Sequence, residues 1–209
     1  MALTQNSYIL AIEAAIAGGS ISLLRGEREI AGWTGPAAVS KAEDLLFNID
    51  VLLREHGVSK HELEMVAVSA GPGSFTGIRI GLATALGLKT GLGIPMSSES
   101  ALKAMVYGAD LDGPVVAAVP SGRNTVCMQT FMVAGSAISE IDDPHTIGED
   151  EFFTAEFHDV NILVHNALFE RVTNKQFIDC GTNIAGYIAR ICRQRPGAIT
   201  PPLFISKNF

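Results

Sequence analysis

Residues 69–95 read SAGPGSFTGIRIGLATALGLKTGLGIP, and the reading of these glycines decides the fold. The stretch follows an apolar, strand-like run, MVAVSA (65–70), and its glycines at 71, 73 and 77 punctuate a turn that opens a helix running to about residue 90. Two familiar phosphate loops fail here. The Walker pattern needs a lysine that the turn lacks, and the dinucleotide fingerprint is missed because Gly77 lies four residues after Gly73. The local physics still suits an anion: Gly71, Gly73 and Gly77 allow close backbone approach, Ser74 or Thr76 can cap, and amides at a helix N-terminus point outward. The other reading is a strand-to-helix turn that needs glycine for tight packing, and these residues alone leave both open.

The helix carries a second signal. Gly77, Gly81 and Ala85 recur at i, i+4 spacing on one face, while Ala83, Gly87 and Gly91 line another. Glycine costs roughly 1 kcal/mol per interior helix position relative to alanine, so repeating it implies close approach of another backbone. A single sheet buries one face. The other is free for a helix–helix contact, so Gly81, Ala83, Ala85 and Gly87 are the expected interface positions.

Outward from this helix the chain alternates strands and helices. SYILAI (7–12) is a buried-strand run; after the turn EAAIAGG come SISLL and REIAGW. Leu45, Leu46, Ile49, Leu52 and Leu53 fall at helical spacing with Gly57 as the stop, giving a helix over about 38 to 55. Ser59 to Glu62 has capping-box spacing. A short strand near Ile94 and a helix over ESALKAMVYG follow. Then the opening pattern returns: GPVVAAV, the turn PSGRN, TVCMQTFMV and GSAISEID again read strand–turn–strand–turn–strand. NILVHN and FID are strands, Ile184, Ile188 and Ile191 mark a last amphipathic helix, and PPLFISKNF is an apolar tail expected to dock. The organisation expected is two related α/β lobes, 1–110 and a smaller, degenerate 111–209.

Composition bounds the function. Hydrophobic residues are 47% of 209, enough for a core, and the net charge of −7 disfavours direct binding of nucleic acid, which takes clustered Lys and Arg. Three cysteines without a CxxC fit a reducing cytosol better than a disulfide framework. YILAIEAAIAGG lacks the basic flank of a signal peptide, and no stretch nears the roughly 18 uncharged apolar residues of a membrane span. The expectation is a soluble cytoplasmic protein with no membrane contact.

Catalytic patterns are sparse. Among His56, His61, His145, His158 and His165 no pair has H-x-x-x-H or H-E-x-x-H spacing, so no metal site is expected, and His165 reads as a hydrogen-bonded structural residue. Ser74 in GSFTG is not a nucleophile elbow, and Cys127, Cys180 and Cys192 read as core. Glu13 follows a buried strand and either lines a cleft or faces water at the turn; water is the expectation.

Residues 70–95 resemble the signature segment of the bacterial TsaB (YeaZ) family, partner subunits in the synthesis of N6-threonylcarbamoyladenosine on tRNA. YILAIEAAIAGGSISLL is similar to that family's first hairpin, VVAAVPSGRNTVCMQTF to its counterpart in the second lobe, and PPLFIS to its Pro-x-Tyr-Leu-Arg-like ending. The resemblance is strong over residues 8–106 and faint after about 135. It implies the actin/Hsp70-like (ASKHA) duplicated α/β fold and a non-catalytic subunit that pairs through its first lobe, as a homodimer or as a heterodimer with a TsaD-like enzyme, touching tRNA only through the complex. ATP-handling members of that fold place an acidic and hydroxyl pair at the first hairpin turn, often Asp-Thr in this family, where this chain has Glu13-Ala14. The family's Asp-Ala-Arg in the second hairpin is replaced here by Pro120-Ser121-Gly122-Arg123, and AAVSKAEDLLFNIDVLL lacks the H-x-x-x-H of the catalytic relative. No catalytic residue and no cofactor is expected, and the glycine loop is expected to be structural. The competing readings are an ATP-dependent enzyme of the actin/sugar-kinase fold, a glycoprotease-like metallopeptidase, and a homodimeric binding protein with some other partner.

Overall fold

Ile9 and Ala11 turn to one side of a strand and Leu10 and Ile12 to the other, and all four are fully buried. A sheet built on such a strand must be covered on both faces. In the computed structural model, which describes residues 3–35, 44–171 and 177–205, that strand is β1 (Tyr8–Glu13). It lies at the centre of a five-stranded sheet with β2 (Ser20–Arg25), β3 (Arg28–Thr34), β4 (Leu63–Ser69) and β5 (Met96–Glu99), in the order β3-β2-β1-β4-β5. β2 and β3 run antiparallel to their neighbours, whereas β1, β4 and β5 are parallel.

The second sheet repeats this plan. β6 (Gly113–Pro120), β7 (Thr125–Ala134), β8 (Ala137–Glu140), β10 (Asn161–Val164) and β11 (Phe177–Asp179) stand in the order β11-β10-β6-β7-β8, with matching parallel and antiparallel pairings. This is the duplicated actin/Hsp70-like α/β architecture expected from the sequence. An additional strand, β9 (His145–Gly148), pairs with the first half of β7, leaving the second half to β8.

Helices separate and flank the sheets. α1 (Leu45–Glu55) and α2 (Phe75–Leu92) cover the outer face of the first sheet, where Leu45, Ile49, Leu52, Leu53 and Ala85 pack on Leu10, Ile12, Val66 and Val68. Residues 38–43 of the expected first helix lie outside the described residues. α3 (Ala101–Gly108) and α6 (Ile184–Arg193) lie between the sheets, in one continuous core with Ile9, Ala11, Val115, Ala117 and Leu163. Their attachments are exchanged: α3, from the first half of the chain, packs on β6 and β7, and α6, from the second half, packs on β1, β2 and β4. α6 is keyed there by Ala185 N donating to Ser20 Oγ at 3.0 Å and by Asn183 Nδ2 donating to Glu29 Oε1 at 2.6 Å. α4 (Glu149–Thr154) and α5 (Asn166–Phe169) cover the far face of the second sheet through Phe152 and Leu168. At six and four residues they are much reduced beside α1 and α2, which have eleven and eighteen.

Local signals account for the element ends. Ser59 closes its capping box with Glu62 Oε2 accepting from Ser59 N at 2.8 Å, and Gly93, in the left-handed region at φ 67°, ends α2. No described helix is long and apolar enough to cross a membrane.

Candidate functional site

The loop between β4 and α2 and the turn between β1 and β2 interlock. Ser74 N donates to Ala15 O at 2.7 Å, and Ser74 caps α2 by accepting from Gly77 N at 3.4 Å. Gly71 takes φ +89°, a conformation that side chains disfavour, while Ala101 N donates to its carbonyl at 2.7 Å and Ser69 Oγ accepts from its amide at 3.1 Å. A Cβ at Gly73 would lie 2.5 Å from Ala15 O, and one at Gly77 would collide with Ala14 O. Thr76 is exposed in the first turn of α2. The helix N-terminus is therefore packed against a backbone turn, and the amides of Ser74 and Gly77 are taken up within the chain.

The turn is itself held by Glu13. The expectation that this carboxylate faces water is corrected: Glu13 is 2% exposed, and its Oε1 accepts from Ala15 N at 2.6 Å and from Ile16 N at 3.0 Å. The side chain folds back over its own turn, and the loop of residues 71–77 packs on the next two residues of that turn, Ala14 and Ala15. Burial raises its pKa from 4.5 to about 7, an effect partly offset by the two backbone amides. An acid whose folded pKa is raised adds stability below about pH 4.5 and loses it as pH climbs to about 7. Glu13→Gln keeps an oxygen for both amides and removes the charge. Relative to wild type, it is expected to gain on the order of 3 kcal/mol between pH 5 and pH 8. Urea unfolding of both proteins across that range checks this, and parallel pH profiles would contradict it.

The two faces of α2 divide as helical geometry requires. Gly77, Ile78, Gly81 and Ala85 turn inward, with Gly81 close to Val68 and Ile12. The interface expectation is thus corrected for Gly81 and Ala85, which pack on the chain's own sheet. Ala83 and Gly87 face outward, on the side that also carries Phe75, Arg79 and Leu86. α1 presents Leu46 and Phe47 outward in the same way. Leu46, Phe47, Phe75 and Leu86 are 60%, 65%, 51% and 52% exposed, so among the described residues α1 and α2 show four large apolar side chains to solvent. Leu46, counted with the helical-spacing residues of α1, points outward. A stripe at 45, 49, 52 and 53 fills the inward face of α1, and that phase is the signal by which Leu46 and Phe47 could have been recognised as outward.

Gly87 gives a local check on this division. A Cβ there meets nothing within 4 Å. Gly87→Ala is therefore expected to stabilise the isolated chain by up to about 1 kcal/mol through helix propensity alone. A thermal midpoint at or below that of wild type would contradict an open outer face.

The remaining reactive side chains are structural in their surroundings. His165 is buried, its Nδ1 accepts from Ala167 N at 3.1 Å at the start of α5, and burial lowers its pKa to about 4. Cys127 and Cys192 are buried, and burial pushes both thiols up to about 12. Among the described residues, no three His, Cys, Asp or Glu side chains converge as a metal site.

Residues 35–162, more than half of the chain, match the family described as TsaD, tRNA N6-adenosine threonylcarbamoyltransferase. The tRNA threonylcarbamoyladenosine biosynthesis protein TsaB of Haemophilus influenzae is 34% identical over 126 residues, covering 58% of this chain and 52% of that protein, so the match spans about half of the relative's length. TsaB of Bacillus subtilis is 25% identical over 192 residues, covering 90% of this chain and 82% of that one. YeaZ from Pseudomonas aeruginosa superposes with a TM-score of 0.67 at 20% identity, over 90% of this chain and 93% of the other, and shares the fold.

Proposed function

We propose a partner-subunit role for this chain, which belongs to the tRNA N6-adenosine threonylcarbamoyltransferase family and resembles its TsaB (YeaZ) members. The chain acts in the biosynthesis of N6-threonylcarbamoyladenosine on tRNA without itself carrying the chemistry. It docks through the outer helices α1 and α2 of its first lobe onto the related TsaD-like transferase, or onto a second copy of itself. The observation that carries this reading is the outward apolar set Leu46, Phe47 and Leu86, with Ala83 and Gly87 between larger neighbours to let another helix approach. A self-complementary patch of this kind serves either occupant, because a related lobe offers the same surface. The glycine loop of Gly71, Gly73, Ser74, Thr76 and Gly77 is structural in this account. Its support is that the β1–β2 turn and the loop satisfy one another through Glu13, Ala15 and Ser74. With a net charge of −7, the chain leaves tRNA contact to its partner.

The test is reconstitution. The purified chain and the TsaD-like transferase of the same cell, with the remaining components needed to form the modification, are expected to co-sediment and to modify tRNA only when both are present. A chain that stays monomeric, captures no transferase and is dispensable for modification overturns the proposal.

A further inference from the structure

The segment after α6 does not trail away from the second lobe; it returns to the first. Ser98 on the edge strand β5 donates from its amide to Ala198 O at 3.0 Å, and Thr200 N donates to Ser98 Oγ at 2.9 Å. Ser98 Oγ in turn donates to Thr200 O at 2.9 Å, and Gly197 N donates to Ser97 Oγ at 2.8 Å. Residues 195–204 thus form a strap along an edge that would otherwise be unpaired. Its root is a charged knot: the buried carboxylate of Glu99 meets Arg195 Nη2 at 2.8 Å through Oε2, and its Oε1 accepts from Thr200 Oγ1 at 3.2 Å and from Ser100 N at 2.9 Å. Its far end reaches the glycine loop, where Leu203 N donates to Ala70 O at 2.8 Å, and Ala70 N donates to Glu99 O at 2.8 Å. Beyond that, the Phe204 ring stands 4.8 Å from the ring of Phe75, which carries the Arg79 guanidinium 3.9 Å from its centroid.

Phe75 and Arg79 lie on the outward side of α2, the side that carries Ala83 and Leu86. We infer that the strap is a latch: seated, it orders the glycine loop and the first turn of α2, and so sets how tightly the first lobe holds its partner. The root is polar and part-buried, whereas the far end rests on one backbone bond, a half-exposed ring pair and the partly buried Ile205. The far end is therefore the part that releases first, and its release unseats the start of the proposed docking helix. The second half of this inference rests on the partner-subunit reading; the first half does not.

The experiment uses the full chain with Arg195→Ala and Phe204→Ala, each beside wild type. Hydrogen exchange of the amides of residues 70–78 is read first, in the protein alone. Both variants are expected to exchange there on the order of tenfold faster, with amides of β6 and β7 unchanged. Affinity for the TsaD-like transferase, or the self-association constant, is read second and is expected to weaken on the order of tenfold. Unchanged exchange at 70–78 in both variants overturns the latch. Wild type and variants binding equally tightly overturns its control of docking while leaving the interface reading intact. A wild type that binds nothing, with exchange still accelerated in the variants, overturns the interface reading and leaves the latch standing.

Discussion

Gly77→Val is expected to unfold the first lobe, while Gly81→Ala, one turn further along the same face of α2, is expected to be tolerated. At Gly77 an added Cβ would fall on Ala14 O and lie 2.8 Å from Ala15 Cα and 2.9 Å from the Ala14 carbonyl carbon. All three are backbone atoms, and the turn that holds them is fixed by the Glu13 carboxylate and by Ser74 N. No rotamer change relieves the clash; either α2 or the hairpin must move. Overpacking a core typically costs about 1–3 kcal/mol. With rigid backbone on one side and a buried helix face on the other, the loss should exceed that range, which is a large share of a marginal stability of about 5–15 kcal/mol. At Gly81 the nearest atom is Ala14 Cβ at 3.5 Å, an ordinary contact, so Gly81→Ala should fall within about 1 kcal/mol of wild type, helix propensity favouring it. Chemical unfolding followed by circular dichroism separates the two. A Gly77→Val protein as stable as wild type that has merely lost affinity for a nucleotide would restore the loop as a phosphate site.

The strands were legible because their signals are local. YILAI, MVAVSA and VVAAV are apolar runs bounded by turn residues, and the strand–turn repeat that begins at Gly113 is visible without residue identity. β9 and α4 were not legible: the sequence between Asp142 and His158 is acidic and aromatic without a period, and β9 exists because the long β7 offers a free half to pair with. The buried state of Glu13 could not be read from its neighbours, since the loop that packs on its turn at Ala14 and Ala15 lies some sixty residues away in sequence. For α2 the density of small residues was legible and their phase was not. Ala85 and Ala83 look alike in sequence, but only the position of Ile78 and Gly77 against the sheet tells which of them points inward. The outward phase of Leu46, Phe47 and Leu86 is hidden for a related reason: an exposed leucine next to a core leucine differs from it only by about 100° of helical rotation.

Phe47→Glu and Leu86→Glu are expected to abolish association while leaving the fold unchanged. Both side chains are mostly in solvent in the isolated chain, so replacing them removes little buried area and should shift unfolding by no more than about 0.5 kcal/mol. In a helix–helix contact the same positions would be buried. There an introduced carboxylate loses its hydration without gaining a partner, on top of the lost apolar area. Removal of a central anchor typically costs about 2–4 kcal/mol of binding, and each 1.4 kcal/mol is tenfold in affinity, so a loss of at least about thirtyfold is expected. Ala83→Glu adds bulk as well as charge to the same outward side and should act in the same direction. Asp50→Asn provides the control: its exposed pair with Arg54 lies on α1, and an exposed pair of this kind contributes little, so folding should be unaffected. Sedimentation at several concentrations, with and without the TsaD-like transferase, reads the association, and circular dichroism reads the fold. If Phe47→Glu and Leu86→Glu both associate as wild type does, the outer layer of the first lobe is not the docking surface. The exposed leucines and phenylalanine of α1 and α2 would then need another occupant.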